Sequence, residues 1–184
     1  MRVKLQSKKS TGGLLFILHD YFVIFCRTLH ITNLEVKMDE KEKITEYINA
    51  IYQNIKTAVQ SIEDIIPKVT NSKFQKELAS EQDKYLALEK ECEVFAKAEK
   101  IEGIKDNNWF EKAKLWSSIN MSTMTDKTTR HIAELMLLGT FMGFLTCIKD
   151  QADHQGVSSE LDELLTNLKS LERKNIDALL PFLV

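Results

Sequence analysis

From residue 39 onward, apolar residues recur at intervals of three and four, the spacing that places them on one face of an α-helix. The first predicted helix begins there, ends at Pro67 and the polar residues 70–72, and carries the apolar stripe Ile44, Ile48, Ile51, Ile55, Val59, Ile62 and Ile66. A second stripe predicts a helix at about 72–100. A further stripe predicts a last helix at about 158–183, with Ser158 or Ser159 as its N-cap.

The region 108–153 is long for a single straight helix, which would extend ~70 Å, compared with ~40 Å for the other helices. Its middle reads SSINMSTMTDKTT. Hydroxyl groups of Ser and Thr bond to nearby backbone groups, and they bend a helix or cap a new one. We therefore predict a kink or break near 122–127, which separates a helix at about 109–123 from a main third helix at about 127–153.

Four long amphipathic helices predict an all-α fold, an antiparallel four-helix bundle. The composition agrees, since the 184 residues include only 6 Gly and 2 Pro. A net charge of −2 gives no indication of a nucleic-acid partner. The three cysteines, Cys26, Cys92 and Cys147, are far apart and form no C-x-x-C motif, which favours reduced thiols in a cytoplasmic protein.

The first 37 residues differ from the rest, because they carry a net charge of +4 and the remainder carries −6. Their apolar run GGLLFILHDYFVIFC follows basic residues as in a signal peptide, but His19 and Asp20 interrupt it. The run is also shorter than the ~20 residues of a membrane span. We predict that residues 38–184 form the bundle domain, that Met38 is the true start, and that 1–37 are an extension outside the fold. An anchor or signal and a packed extension are the alternatives.

Polar residues on the core-facing side of the helices are the candidates for chemistry. At 100° per residue, five of them fall within the apolar stripes: Glu81, Glu89, His131, Glu172 and Asn175. We expect Glu81, His131, Glu172 and Asn175 to lie in the core. Di-iron bundles use an E-x-x-H motif on each of two helices. This chain offers E81-x-x-K84 and E172-x-x-N175 at such positions, so both motifs lack the imidazole.

Two interpretations of these residues follow. In the first, Glu81, His131, Glu172 and Asn175 form a buried polar layer without a cofactor, in which the side chains satisfy one another. In the second, Glu81, His131, Glu172 and the adjacent Glu134 bind a single metal ion, which needs three or four ligands. The sequence favours the polar layer, because a motif without its key ligands is weak.

The main third helix is apolar on all sides, as HIAELMLLGTFMGFLTC at 131–147 shows. We assign its core-facing side to His131, Leu135, Leu138, Gly139, Met142 and Thr146. A second stripe on the opposite side consists of Leu137, Phe141, Phe144 and Ile148. A helix that is apolar all round is buried all round, so another surface should cover this stripe. We predict a homodimer with the stripe at its centre; the 109–123 helix and the N-terminal extension are the rival covers.

Three segments resemble a family of small uncharacterised proteins from spore-forming Gram-positive bacteria. They are LWSSINMSTMTDKTTRHIAELMLLGTFMG at 115–143, QSIEDIIPKV at 60–69 and LERKNIDALLPFL at 171–183. The resemblance covers about 40–184 and excludes 1–37. It implies a bundle of ferritin-like architecture and no established activity. The recurring polar positions of the family would match Ser61, Thr125, Asp126, Glu134, Glu172 and Asn175.

The sequence thus favours a non-enzymatic, cytoplasmic helical bundle that acts by self-association or by binding a protein partner. It indicates neither a membrane span nor a nucleic-acid partner. The alternative function is a ferritin-like bundle with a degenerate, at most mononuclear, metal site.

Overall fold

The computed structural model describes residues 40–102, 104 and 126–184, and all regular structure within them is helical. The four α-helices are α1 (Glu40–Ile65), α2 (Ser72–Ala98), α3 (Thr129–Asp153) and α4 (Ser159–Leu179). Short 3₁₀ turns follow α1 at Ile66–Lys68 and α4 at Leu180–Phe182, each with a proline near its start. The predicted all-α four-helix bundle is confirmed.

Polar side chains begin three of the helices. Asn71 Oδ1 accepts hydrogen bonds from the backbone N–H groups of Lys73 and Phe74, both at 3.0 Å, at the start of α2. The hydroxyl groups of Thr128 and Ser158 cap α3 and α4 in the same way. Residues 126–128 are not helical, so α3 begins close to the predicted position of about 127, whereas most of the predicted break at 122–127 lies outside the described residues. The predicted helix at 109–123 and the extension 1–37 lie outside the described residues.

The helices pack as two hairpins, α1 with α2 and α3 with α4. Between the hairpins, α1 also packs against α3, and α2 against α4, so that α2 and α3 lie across a diagonal of the bundle. Each hairpin has a short connection, which makes its two helices antiparallel.

Cross-helix contacts give the direction of the remaining helix pairs. Tyr47 near the start of α1 stacks on His154 just after α3, whereas Asn54 further along α1 reaches Gly143. These two helices are therefore antiparallel. Helices α2 and α4 are antiparallel as well, because Phe74 meets Phe182 and Tyr85 meets Asn175. All neighbouring helices thus run in opposite directions, and α2 and α3 run in the same direction.

Helix α3 does not face the core with the side that the sequence suggested. Its buried residues are Ile132, Ala133, Leu135, Met136, Thr140, Cys147 and Asp150. Thr146, which we assigned to the core, is exposed, and the buried side is rotated by about a third of a turn from the predicted one. The cause is the composition of this helix, since apolar residues on every side give its hydrophobic pattern no clear direction.

The apolar character of α3 has a second consequence. By length and composition alone, it is the one helix among the described residues that would be able to cross a membrane. An apolar helix in the core of a soluble protein meets the same criterion.

Candidate functional site

A layer of buried polar side chains crosses the bundle. Glu81 and Tyr85 lie four residues apart on α2, and Glu172 and Asn175 lie three residues apart on α4, so each pair shares one helix face. Asn54 joins them from α1. The exposed fraction of Glu81, Glu172 and Asn175 is 1% each. Such burial of polar groups is costly unless they are paired.

Hydrogen bonds connect part of this layer. The amide Nδ2 of Asn175 donates to the hydroxyl oxygen of Tyr85 at 3.1 Å, and the Tyr85 hydroxyl in turn bonds to the carboxylate of Glu172. The amide Nδ2 of Asn54 donates to the backbone carbonyl of Gly143 at 3.1 Å and to Cys147 Sγ at 3.4 Å. These hydrogen bonds therefore join α2 to α4 and α1 to α3.

Gly143 allows α3 to approach the layer closely. A β-carbon at this position would lie 2.6 Å from Glu172 Oε1 and 3.2 Å from Asn54 Oδ1. The first distance is shorter than any ordinary van der Waals contact, so a larger residue would displace the carboxylate. The absence of a side chain at Gly143 leaves room for two oxygen atoms from two other helices.

Three carboxylate oxygens of the layer are left unsatisfied. Both oxygens of Glu81 and Oε2 of Glu172 are buried, and none has a hydrogen-bond partner in the part of the chain that the structure describes. Buried polar atoms without partners are rare in folded proteins, and an ion or water molecule commonly accounts for them.

Burial changes the acidity of both carboxyl groups. The pKa of Glu81 is raised to about 8, chiefly by desolvation and also by the charges of Glu77 and Glu172, while Lys84 opposes the change. Desolvation also raises the pKa of Glu172 to about 8, against the effect of its hydrogen bond from Tyr85. In the absence of a cation, both groups therefore hold their protons near neutral pH.

The structure separates the predicted site residues into two groups. Glu81, Glu172 and Asn175 lie in the buried layer. His131 is only partly buried and lies twelve residues before Gly143 on α3, a distance of about 18 Å along the helix axis. Its Nδ1 lies 3.9 Å from Glu134 Oε2, and Glu134 is bound by Arg130 at 3.1 Å.

His131 therefore does not belong to the polar layer and cannot pair with Glu172. The four predicted metal candidates, Glu81, His131, Glu134 and Glu172, do not form one group. Within residues 40–102, 104 and 126–184, no three His, Cys, Asp or Glu side chains come together as a metal-binding group. The physical reason is the position of His131 near the start of α3, about 18 Å along the helix axis from the layer at Gly143.

Sequence reasoning missed Asn54, Tyr85 and Gly143 as members of the layer. A signal existed for Asn54, which lies between Ile51 and Ile55 on the buried stripe of α1. Tyr85 lies on the apolar stripe of the predicted second helix, and a signal existed there too, because a buried tyrosine hydroxyl usually needs a hydrogen-bond partner. No sequence signal indicates that Gly143 faces the core, because the direction of α3 is not defined by its pattern.

The two cysteines in the described residues are free and buried. Burial raises the pKa of the Cys92 thiol to about 12 and raises that of Cys147 as well. A thiol in this state is protonated and a poor nucleophile. Neither residue thus offers a reactive cysteine.

The outer side of α3 presents the predicted apolar stripe. Phe141 is 47% exposed and Ile148 is 46% exposed. Leu137 and Phe144 are partly buried, and Leu137 packs against the core. The outer stripe, defined as Leu137, Phe141, Phe144 and Ile148, is thus a mixed surface with two large side chains directed outward.

Comparisons with known proteins do not add to this description. No family model, curated protein or solved structure matches the chain. The resemblance to proteins of spore-forming bacteria accordingly stays a prediction.

Proposed function

We propose that the protein is a non-enzymatic, cytoplasmic helical bundle that acts by self-association, and that the outer stripe of α3 is the centre of a homodimer. The observation that carries the proposal is the exposure of Phe141 and Ile148 to nearly half of their full extent. These residues lie seven positions apart and therefore point to the same side of the helix.

The stripe is suited to contact with its own copy. It extends about 16 Å along α3, and no charged residue occurs from 135 to 148. Contact across a two-fold axis would therefore bury no unpaired charge. Burial of a large apolar side chain contributes about 1.5–3 kcal/mol, and each subunit contributes at least two such side chains.

A double substitution tests the dimer. We expect Phe141→Asp with Ile148→Asp to give a folded monomer, because four negative charges would meet at the dimer axis. Light scattering measures the mass, and circular dichroism measures the helix content. The matched control is Leu86→Asp with Val94→Asp, since these residues are also exposed but lie on α2. The control should remain a dimer.

Two results would contradict the dimer. A wild-type protein that is monomeric at high concentration rejects it directly. A double variant that loses its helical signal indicates that another part of the same chain covers the stripe.

A second function has one specific observation in its favour. Helices α2 and α3 are parallel across a diagonal, so the end of α2 and the start of α3 lie at opposite ends of the bundle. This arrangement is typical of ferritin-like bundles, which have one crossover connection. We propose as the alternative a ferritin-like bundle with at most one metal ion. Protein purified without a chelating column that contains no bound metal, and that takes up no iron, manganese or zinc, would reject this alternative.

A further inference from the structure

We propose that loss of the proton from the buried Glu172 carboxyl group opens the contact between α1 and α3 at the level of Gly143. The opening is local: it admits water to the carboxylate and exposes the thiol of Cys147, which is fully buried in the closed bundle. This pH-sensitive switch lies within a single chain, so it does not depend on the dimer formed by the outer stripe.

The titratable and polar groups around Glu172 are neutral or acidic. They come from every neighbouring helix and are Asn54 of α1, Glu81 and Tyr85 of α2, and Cys147 of α3. Lys169, one turn earlier on α4, bonds to Gln151 at 2.6 Å on the exposed surface. Among the described residues, the pKa of Glu172 is affected by burial and by the Tyr85 hydrogen bond, and by no Lys, Arg or His side chain. An ionised Glu172 is therefore a buried charge without a partner cation, which is costly.

The amide of Asn54 adds to this cost. Its Nδ2 donates to the Gly143 carbonyl at 3.1 Å and to Cys147 Sγ at 3.4 Å. Its Oδ1 and Glu172 Oε1 border the same small space, which exists because Gly143 has no side chain. Asn54 thus turns the lone pairs of an oxygen toward Glu172. A protonated carboxyl group tolerates this neighbour, whereas a carboxylate needs additional donors, which water alone can supply here.

The contact between α1 and α3 is the one that can admit this water. Helix α3 packs more extensively on α4 than on α1, and a short connection ties α3 to α4. Asn54 holds α3 to α1 through its two hydrogen bonds, and both lie close to Glu172. Local openings in folded proteins occur where few contacts must be broken. Separation at Asn54 would break the bond to Cys147 and free its thiol.

The direction of the pH effect follows from burial. In the closed bundle, burial raises the pKa of Glu172 to about 8, whereas a carboxyl group in contact with water titrates near about 4.3. Between these values the open form releases a proton that the closed form retains. The open population should therefore rise by up to about tenfold per pH unit and level off above about pH 8.

Labelling of Cys147 in the full chain tests the proposal. The protein is treated with N-ethylmaleimide between about pH 5.5 and pH 8.5, in a buffer with a chelator so that no metal contributes. Mass spectrometry of proteolytic peptides measures the labelling rates of Cys147 and Cys92 separately. Cys92 is also fully buried but lies on α2, so it reports global unfolding. Low concentrations of urea accelerate labelling through global unfolding far more than labelling through a local opening.

A conservative variant identifies the trigger. Glu172→Gln retains the volume of the side chain and removes its titration. Comparison of the same cysteine in the two proteins cancels the pH dependence of the thiol itself. We expect the rate for Cys147 in the wild type, divided by that in Glu172→Gln, to rise by up to about tenfold per pH unit below about pH 8. The control is Glu89→Gln, because Glu89 is also buried but bonds to Lys56 at 2.9 Å. This variant should retain the wild-type pH dependence.

The proposal fails if Cys147 and Cys92 are labelled at equal rates with the same dependence on urea, since global unfolding then explains both. It also fails if the ratio of the two rates for Cys147 is constant with pH, or if Glu89→Gln removes the pH dependence as well. Hydrogen exchange of the α3 amides, corrected for its intrinsic pH dependence, checks the wild type without any substitution, and protection that is constant with pH rejects the switch. Circular dichroism confirms that each variant is folded, and light scattering on the same samples reports separately on the dimer.

Discussion

At the scale of single residues, Gly143 is important because it leaves space for the buried carboxylate of Glu172. In an ordinary helix position, glycine is destabilising relative to alanine by about 1 kcal/mol. Here a methyl group would stand 2.6 Å from Glu172 Oε1. The cost of glycine in the helix is thus offset by the space that it gives to a buried carboxylate.

We expect Gly143→Ala to lower the free energy of unfolding by about 1 kcal/mol. The gain in helix propensity is about 1 kcal/mol, but displacement of Glu172 breaks its bond with Tyr85, at a cost of about 1–3 kcal/mol. Urea denaturation measures the difference.

The control is the same substitution in a Glu172→Ala background. There the carboxylate is absent, so Gly143→Ala should stabilise the protein, and the two substitutions should couple by at least about 1 kcal/mol. Equal effects in both backgrounds would show that the close approach of Gly143 and Glu172 has no energetic consequence.

The sequence could predict part of this site. Glu81, Glu172 and Asn175 lie on clear amphipathic stripes, so the helical period alone directs them inward. His131 lies on a helix without a polar side, and the same reasoning wrongly placed it in the buried polar layer. Contacts such as that of Gly143 with Glu172 depend on the packing of two helices, and no local pattern encodes them.

At the scale of elements, the helix starts agree with simple capping chemistry. Asn71, Thr128 and Ser158 each accept a hydrogen bond from a backbone N–H group in the first turn. Such N-caps satisfy donors that otherwise have no partner within the helix. The Ser158 cap could be predicted from the sequence for this reason. The end of α1 could be predicted for another reason, because Pro67 lacks the backbone N–H that a continuing helix needs.

We expect Asn71→Ala to destabilise the protein by about 1 kcal/mol, because two backbone donors of α2 lose their acceptor. Thermal or urea denaturation measures the change. Asn71→Asp is the control, since it retains the accepting oxygen and should stay close to the wild type. Equal stability of the alanine and aspartate variants would show that the cap contributes nothing.

At the scale of the whole molecule, the two buried carboxyl groups couple folding to protons. Burial raises the pKa of both Glu81 and Glu172 to about 8, whereas an unfolded glutamate titrates near about 4.3. Between these values the folded chain binds more protons than the unfolded chain. The two protonated carboxyl groups therefore contribute their full stabilisation of the folded state below the pKa of an unfolded glutamate. This contribution to the free energy of unfolding is lost as the pH rises through about 8.

We expect the metal-free protein to be more stable at about pH 5.5 than at about pH 8.5, with a slope of up to about 1.4 kcal/mol per pH unit for each group. Chemical denaturation at three pH values measures this slope. Glu81→Gln removes one of the two groups and should reduce the slope. A stability that rises over this range would contradict the assigned pKa directions.

The polar layer also has a consequence for assembly of the fold. Its bonds from Asn54 to Gly143 and from Asn175 to Tyr85 each join one hairpin to the other, so neither hairpin can form them alone. The apolar stripes could slide past each other by one turn with modest loss, whereas a slipped register would leave several buried amides and carboxylates without partners. The layer thus selects a single register when the hairpins dock, and this late, non-local step should limit the rate of folding.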